Sequence, residues 1–147
     1  MNRVKAQKYM QIAKAVAQLS KSRNTQVGAL ILGADSEVRS LGYNGAPRGS
    51  CADEDERYIK PEKYYWFCHA ELNAITNAAK VGTPIDGCTL IVTHPPCMDC
   101  ARAIVQSGIK EVISVKPDAK FSATWGDHLH CTEKLFHEVG VEYTWLD

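Results

Sequence analysis

No stretch of the 147-residue sequence approaches the roughly 18 consecutive apolar residues that a membrane-spanning helix needs, so no membrane span is expected. Neither sign of charge is in excess: 17 basic and 17 acidic residues give a formal net charge of zero. That balance disfavours a protein that grips long nucleic acid by neutralising phosphates, although a local basic patch is compatible with it. A small ligand is the better expectation. Met1 to Ser20 lacks a continuous apolar core, because Lys5, Lys8, Gln11 and Lys14 interrupt it. It does not read as a secretory signal, and a cytoplasmic protein is expected. Internal repeats and long low-complexity tracts are also missing. The acidic run Asp53 to Glu56 is short and reads as solvated loop.

What is present is ordinary globular composition, 45% hydrophobic and 23% charged. The length suits a single domain spanning 1–147, with a core large enough to need no staples. The six cysteines (Cys51, Cys68, Cys88, Cys97, Cys100 and Cys131) are then reduced thiols or metal ligands rather than three disulfides.

Periodicity predicts a first helix from Val4 to Leu19, with Val4, Tyr9, Ile12, Val16 and Leu19 on its packed face. Val27–Leu32 and Glu37–Tyr43 read as a strand hairpin around the turn at Gly33–Ser36. An irregular loop follows to about Lys63, and the aromatic run Tyr64–Phe67 after it is expected to be partly packed. Helices are predicted over Ala70–Lys80, with Leu72, Ile75 and Ala79 on one side, over Cys97–Ser107 and over His128–Val139. Strands are predicted over Cys88–Thr93, the most central, Glu111–Val115 and Val141–Leu146. A hairpin followed by β-α-β-α-β implies an α/β fold, a three-layer α/β/α arrangement around a five-stranded mixed sheet.

Two segments carry chemistry: His69-Ala70-Glu71 and Pro96-Cys97-Met98-Asp99-Cys100. Zinc favours tetrahedral nitrogen and sulfur donors, and three protein ligands leave a fourth position open for reaction. Cys97 and Cys100 at i and i+3 converge on one point at a helix start, where free N–H groups and the macrodipole favour thiolate. Pro95 and Pro96 suit the approach to such a helix. His69, just before another helix, supplies the third donor. Glu71, two residues on, faces the same cavity without competing for the metal. Each part alone is weak, since a lone Cys-x-x-Cys also serves redox or structural zinc sites. A structural site would need a fourth ligand. Cys68 is the nearest candidate but reads as core, and His94 fits pocket wall, second shell or surface alike. Cys51, Cys88 and Cys131 read as small hydrophobes.

The pattern H-x-E…P-C-x-x-C is the signature of zinc-dependent nucleobase deaminases. The chain resembles the cytidine and deoxycytidylate deaminase superfamily over nearly its whole length. Val27-Gly28-Ala29, Gly42-Tyr43-Asn44-Gly45-Ala46-Pro47 and His69-Ala70-Glu71-Leu72-Asn73-Ala74-Ile75 sharpen the match to the deoxycytidylate branch. The resemblance implies hydrolysis of dCMP to dUMP with one zinc per chain, held by His69, Cys97 and Cys100, and with Glu71 as the proton carrier. The extra His and Cys residues of members with a second zinc are missing. It further implies Asn44 near the sugar, Arg23, Asn24 and Thr25 near the phosphate, Ala70 on the substrate, and Phe121 or Trp125 as the aromatic wall beside the base. Self-association follows from the same resemblance, hexamers among the forms, and control by dCTP and dTTP is left open.

Rival readings are a deaminase of CMP, dCTP, deoxycytidine, cytidine or a 5-substituted dCMP, an editing enzyme of single-stranded nucleic acid or tRNA, and a non-catalytic zinc module. Zero net charge counts against editing, and Glu71 counts against the module.

Overall fold

The computed structural model describes residues 1–50 and 54–147. The readings made for Cys51 and Asp53 lie outside the described residues. Gly28–Leu32 (β1) and Val38–Tyr43 (β2) form the expected antiparallel hairpin. Thr89–Val92 (β3) pairs antiparallel with the other edge of β1, while Glu111–Val115 (β4) and Glu142–Leu146 (β5) continue in parallel. The resulting five-stranded mixed sheet has the order β2-β1-β3-β4-β5, with β3 in the middle. Parallel neighbours need crossovers. Met98–Gln106 (α4) and Ala119–Val139 (α5) supply them.

Helices cover both faces. Arg3–Ala17 (α1) buries Ala6, Met10 and Ala13 against Leu30, Leu32 and Ile91. Ala70–Val81 (α3), α4 and α5 pack on the opposite face, where Ala70, Ala74, Ile104 and Phe136 meet Ala29, Ile31, Leu90 and Val92. Alternate residues of β1 therefore serve two cores. This explains why Gly28–Leu32 is buried along its length. Each large aliphatic side chain so buried contributes about 1.5–3 kcal/mol.

The packed faces of two helices differ from those expected. On α1, Val16 is buried and Tyr9 packs against the core as expected, but Val4 is 65% exposed and Ile12 is exposed, and Leu19, beyond the helix end, is 58% exposed. On α3, Leu72 and Ala79 are exposed and Ile75 is only half-buried. The faces that dock are lined by alanine because the helices lie almost on the backbone. A Cβ on Gly28 would come within 2.1 Å of the Ala13 carbonyl oxygen. One on Gly42 would come within 2.4 Å of the Ala70 oxygen and the Ala74 nitrogen. Close approach selects small residues on both surfaces, so the larger apolar side chains point outward.

Two further elements depart from expectation. The stretch read as loop up to Lys63 contains a 3-10 turn at Asp55–Tyr58 and the start of a short helix, Glu62–Trp66 (α2). Phe67 after it is buried, but Tyr64 and Tyr65 are exposed. Helix α5 begins at Ala119 rather than His128. The Asp118 side chain accepts a hydrogen bond from the Phe121 N–H at 2.7 Å and starts it. Its first half borders a cavity instead of the core, so no helical apolar period marks it.

Candidate active site

The functional segments gather at one edge of the sheet. There β3 and β4 end and lead into α4 and α5, and β2 leads away into the 44–50 loop. Ligand sites of open α/β sheets form outside such strand ends. His69 is the residue before α3, in extended conformation (φ −75°, ψ 157°). Paired backbone hydrogen bonds between Cys68 and Gly45, 2.8 and 3.0 Å long, hold it at the end of β2. Cys97 takes the equivalent place before α4. Its side chain does not cap the helix. Instead the Met98 N–H donates to His128 Nδ1 at 3.1 Å, and the Thr132 hydroxyl donates to the Pro96 carbonyl at 3.3 Å. Both residues belong to α5, which thereby grips the turn carrying Cys97 on either side.

His69 Nδ1 lies 3.4 Å from the Sγ atoms of both Cys97 and Cys100. Zinc bonds of about 2.1 Å to nitrogen and 2.3 Å to sulfur, meeting at a tetrahedral angle, separate those atoms by roughly 3.6 Å. The three donors lie within 4.8 Å of one another and are buried or half-buried. Donor type, spacing and seclusion fit one zinc ion per chain. Without a metal the three share protons. A hydrogen bond from Cys100, aided by one from His69, holds the Cys97 thiol down to about 4. Cys100 is pushed up by donating to Cys97 and by burial. His69 is raised to about 9, chiefly by its bond to Cys97. Cys68 is half-buried and stands apart from this cluster, so it supplies no fourth ligand.

Glu71, in the first turn of α3, is only 4% exposed. Burial raises its carboxyl from 4.5 to about 7, against the opposing pull of His69. The carboxyl opens on a cavity of about 320 Å³ whose wall also includes His69, Ala70 and Cys97. Phe121 and Trp125 of α5 line it as well, with Tyr64 and Phe67 from the α2 side. The Trp125 ring stands edge-on to His69, 6.3 Å between centroids. Both aromatic candidates are therefore at the site, and the Phe121–Trp125 spacing of one helical turn explains how.

Asn44 is buried on the same wall. Its Oδ1 accepts from the Val27 N–H at 2.8 Å and its Nδ2 donates to the Thr25 carbonyl at 2.9 Å. One amide hydrogen and one lone pair remain. Asn44 therefore ties the 25–27 segment to the end of β2 and still faces the cavity. Arg23 and Asn24 are not on the cavity wall; only Thr25 of that loop is. Arg23 pairs with Asp55 and lies over the Tyr58 ring, 4.7 Å from its centroid. The wall's cations are Lys60, Lys63, Lys116 and Lys120, which no motif or period in the sequence marked. His94 also lines the cavity, as one of its readings had it. Burial lowers its pKa, with Asp118 opposing.

A mixed sheet with a His-Cys-Cys cluster and a buried glutamate at adjoining helix starts defines the class of zinc-dependent hydrolytic deaminases. Residues 3–116 match the family model described as the cytidine and deoxycytidylate deaminase zinc-binding region. The chain belongs to that family. It is 45% identical over 141 residues to a deoxycytidylate deaminase of Pongo abelii, covering 92% of this chain and 75% of that protein. An uncharacterized deaminase of Aliivibrio fischeri is 40% identical over 143 residues, covering 96% and 92%. Among solved structures, the dCMP deaminase of cyanophage S-TIM5 in complex with dCMP and dUMP superimposes with a TM-score of 0.79 at 27% identity, covering 99% of each chain.

Proposed function

We propose that this protein converts dCMP to dUMP and ammonia by zinc-dependent hydrolysis. The observation that carries the reading is Glu71, buried beside a zinc-binding cluster on a nucleotide-sized cavity. The family's deoxycytidylate deaminases, and the dCMP and dUMP complex of the cyanophage enzyme, support the choice of substrate.

Zinc, when bound, supplies the Lewis acidity that makes water a nucleophile near neutral pH. Glu71 does the proton work. Its carboxylate takes a proton from the attacking water and passes it to ring nitrogen N3 as the new C4–O bond forms. It then moves a second proton to the amino group on C4. The C4–N bond breaks and ammonia leaves. A carboxyl poised at about 7 accepts and returns a proton with little penalty either way. Ala70, at the first helical position of α3, has an N–H that no helical partner takes, which suits it to the pyrimidine carbonyl. Phe121 and Trp125 flank the base, and the remaining valences of Asn44 suit the deoxyribose.

We place the protein in the cytoplasm and expect it to self-associate. Among the described residues no helix is long and apolar enough to cross a membrane, and Val4 and Ile12 of α1, with Leu19 just beyond its end, are exposed apolar side chains. Gel filtration with light scattering checks the second point. The substrate is checked by incubating the zinc-loaded protein with dCMP, dCTP, CMP, deoxycytidine and a cytosine-containing oligonucleotide. Fastest conversion of dCMP is expected. A faster rate on any other member reassigns the substrate, and no uracil product from any of them refutes the enzyme reading.

A further inference from the structure

Lys63 is a buried cation in need of an anion. Its side chain sits at the start of α2 and is only 9% exposed, yet it lines the cavity beside Glu71 and Asn44. The ammonium donates to Ser22 Oγ at 2.7 Å and rests 5.5 Å from the Phe67 ring centroid. Among the described residues no carboxylate comes within ion-pair distance of it. An ammonium carries three donors, and the bond to Ser22 uses one of them. A second cation, the exposed Lys60, lines the same wall three residues earlier and repels it. Burying one lysine against another without a counter-charge is costly, and such arrangements persist where an anion completes them. Burial, and then Lys60, hold the Lys63 pKa below its ordinary value.

The negative charge that the cavity is built to admit is that of its substrate. Asp118, on the same wall, is occupied in capping α5, and Glu71 serves the reaction. Arg23, the cation expected from the sequence, is held by Asp55 away from the wall. We propose that Lys63, assisted by Lys60, takes the 5′-phosphate of the substrate and so sets the preference for nucleotide over nucleoside. This rests on the reading of dCMP as substrate. A strut holding the 20–26 loop through Ser22 is the competing role for Lys63. A strut has no use for a second lysine on the wall, nor for a place on the cavity.

The test compares kcat/KM for dCMP and deoxycytidine, and Kd for dUMP and deoxyuridine, in the zinc-loaded wild type, Lys63→Met, Lys60→Met and Ser22→Ala. In Lys63→Met the nucleotide-to-nucleoside ratio falls roughly ten- to a hundred-fold by both measures, as loss of a charged hydrogen bond implies. In exposed Lys60→Met, which is not subject to core disruption, it falls about three-fold or more. Ser22→Ala, which removes only the strut contact, keeps the ratio. Equal losses on both substrates in Lys63→Met and Ser22→Ala mean a strut and overturn the proposal, as does an unchanged ratio in Lys60→Met when Lys63→Met fails to fold. A wild type that ignores the phosphate altogether overturns the substrate reading along with it, which separates the two failures.

Discussion

Removal of Glu71 from water at the first turn of α3 is the largest cause that raises its carboxyl to about 7, against the opposing pull of His69. Glu71→Gln preserves the shape of the cavity and leaves His69, Cys97 and Cys100 in place. Its zinc content by metal analysis is expected to equal the wild type's, with turnover down by roughly a hundred- to ten-thousand-fold. Retained turnover in the zinc-loaded variant would remove Glu71 from the reaction. His94 makes a prediction of opposite electrostatic sense. Burial depresses its pKa, so the folded state prefers the neutral imidazole. Its stabilising share is present above the ordinary pKa of 6.5 and is lost as pH falls through the lower folded value. Thermal melts between pH 7.5 and 4.5 should therefore show a smaller acid loss in His94→Gln than in the wild type.

At the scale of elements, the site is two helix starts braced from outside. Helix α5 does the bracing for α4, whose N-cap residue Cys97 makes no side-chain cap hydrogen bond. His128→Ala leaves the Met98 N–H without its acceptor, costing about 1 kcal/mol of stability. Zinc transfer to a chelator should become roughly tenfold faster. His128→Asn, which can still accept, is expected to recover much of the difference. Helix α3 is braced by contact with β2 at Gly42. Gly42→Ala drives a methyl group into the α3 backbone and shifts the helix that starts with His69 and Glu71. A loss of about 1–3 kcal/mol, together with loss of activity, is expected in denaturation and kinetic assays. Gly45→Ala, whose Cβ would meet nothing within 4 Å, serves as the contrast and should change little.

For the whole molecule, a zinc ion held by His69, Cys97 and Cys100 would link the start of α3 to the start of α4. Its removal by a chelator is expected to lower Tm, because the metal adds roughly 4 kcal/mol to folding when free zinc is a thousandfold above Kd. Metal analysis should return one equivalent per chain, and two would contradict the site as built. The strands, the leading hairpin and the grouping of His69, Glu71, Cys97 and Cys100 were legible in the sequence. Strand periods and ligand spacings are short-range patterns that local chemistry dictates. The sequence alone misplaced part of the packed faces of α1 and α3, setting Val4, Ile12 and Leu72 inside, since large apolar residues dominate any periodicity while much of the actual contact is alanine on glycine. It also hid the first half of α5, whose residues face a cavity and follow no core pattern. The lysines that line the cavity could not be read from spacing either: Lys63 and Glu71 share one wall only in the folded chain. The sequence by itself marked the candidate metal donors and the carboxylate beside them, through donor types at fixed local intervals, and its resemblance to a known family implied the reaction. Only the tertiary structure decided which lysines and aromatics line the cavity, because a cavity wall is assembled from elements far apart in the chain, and nothing local ties their side chains to one another.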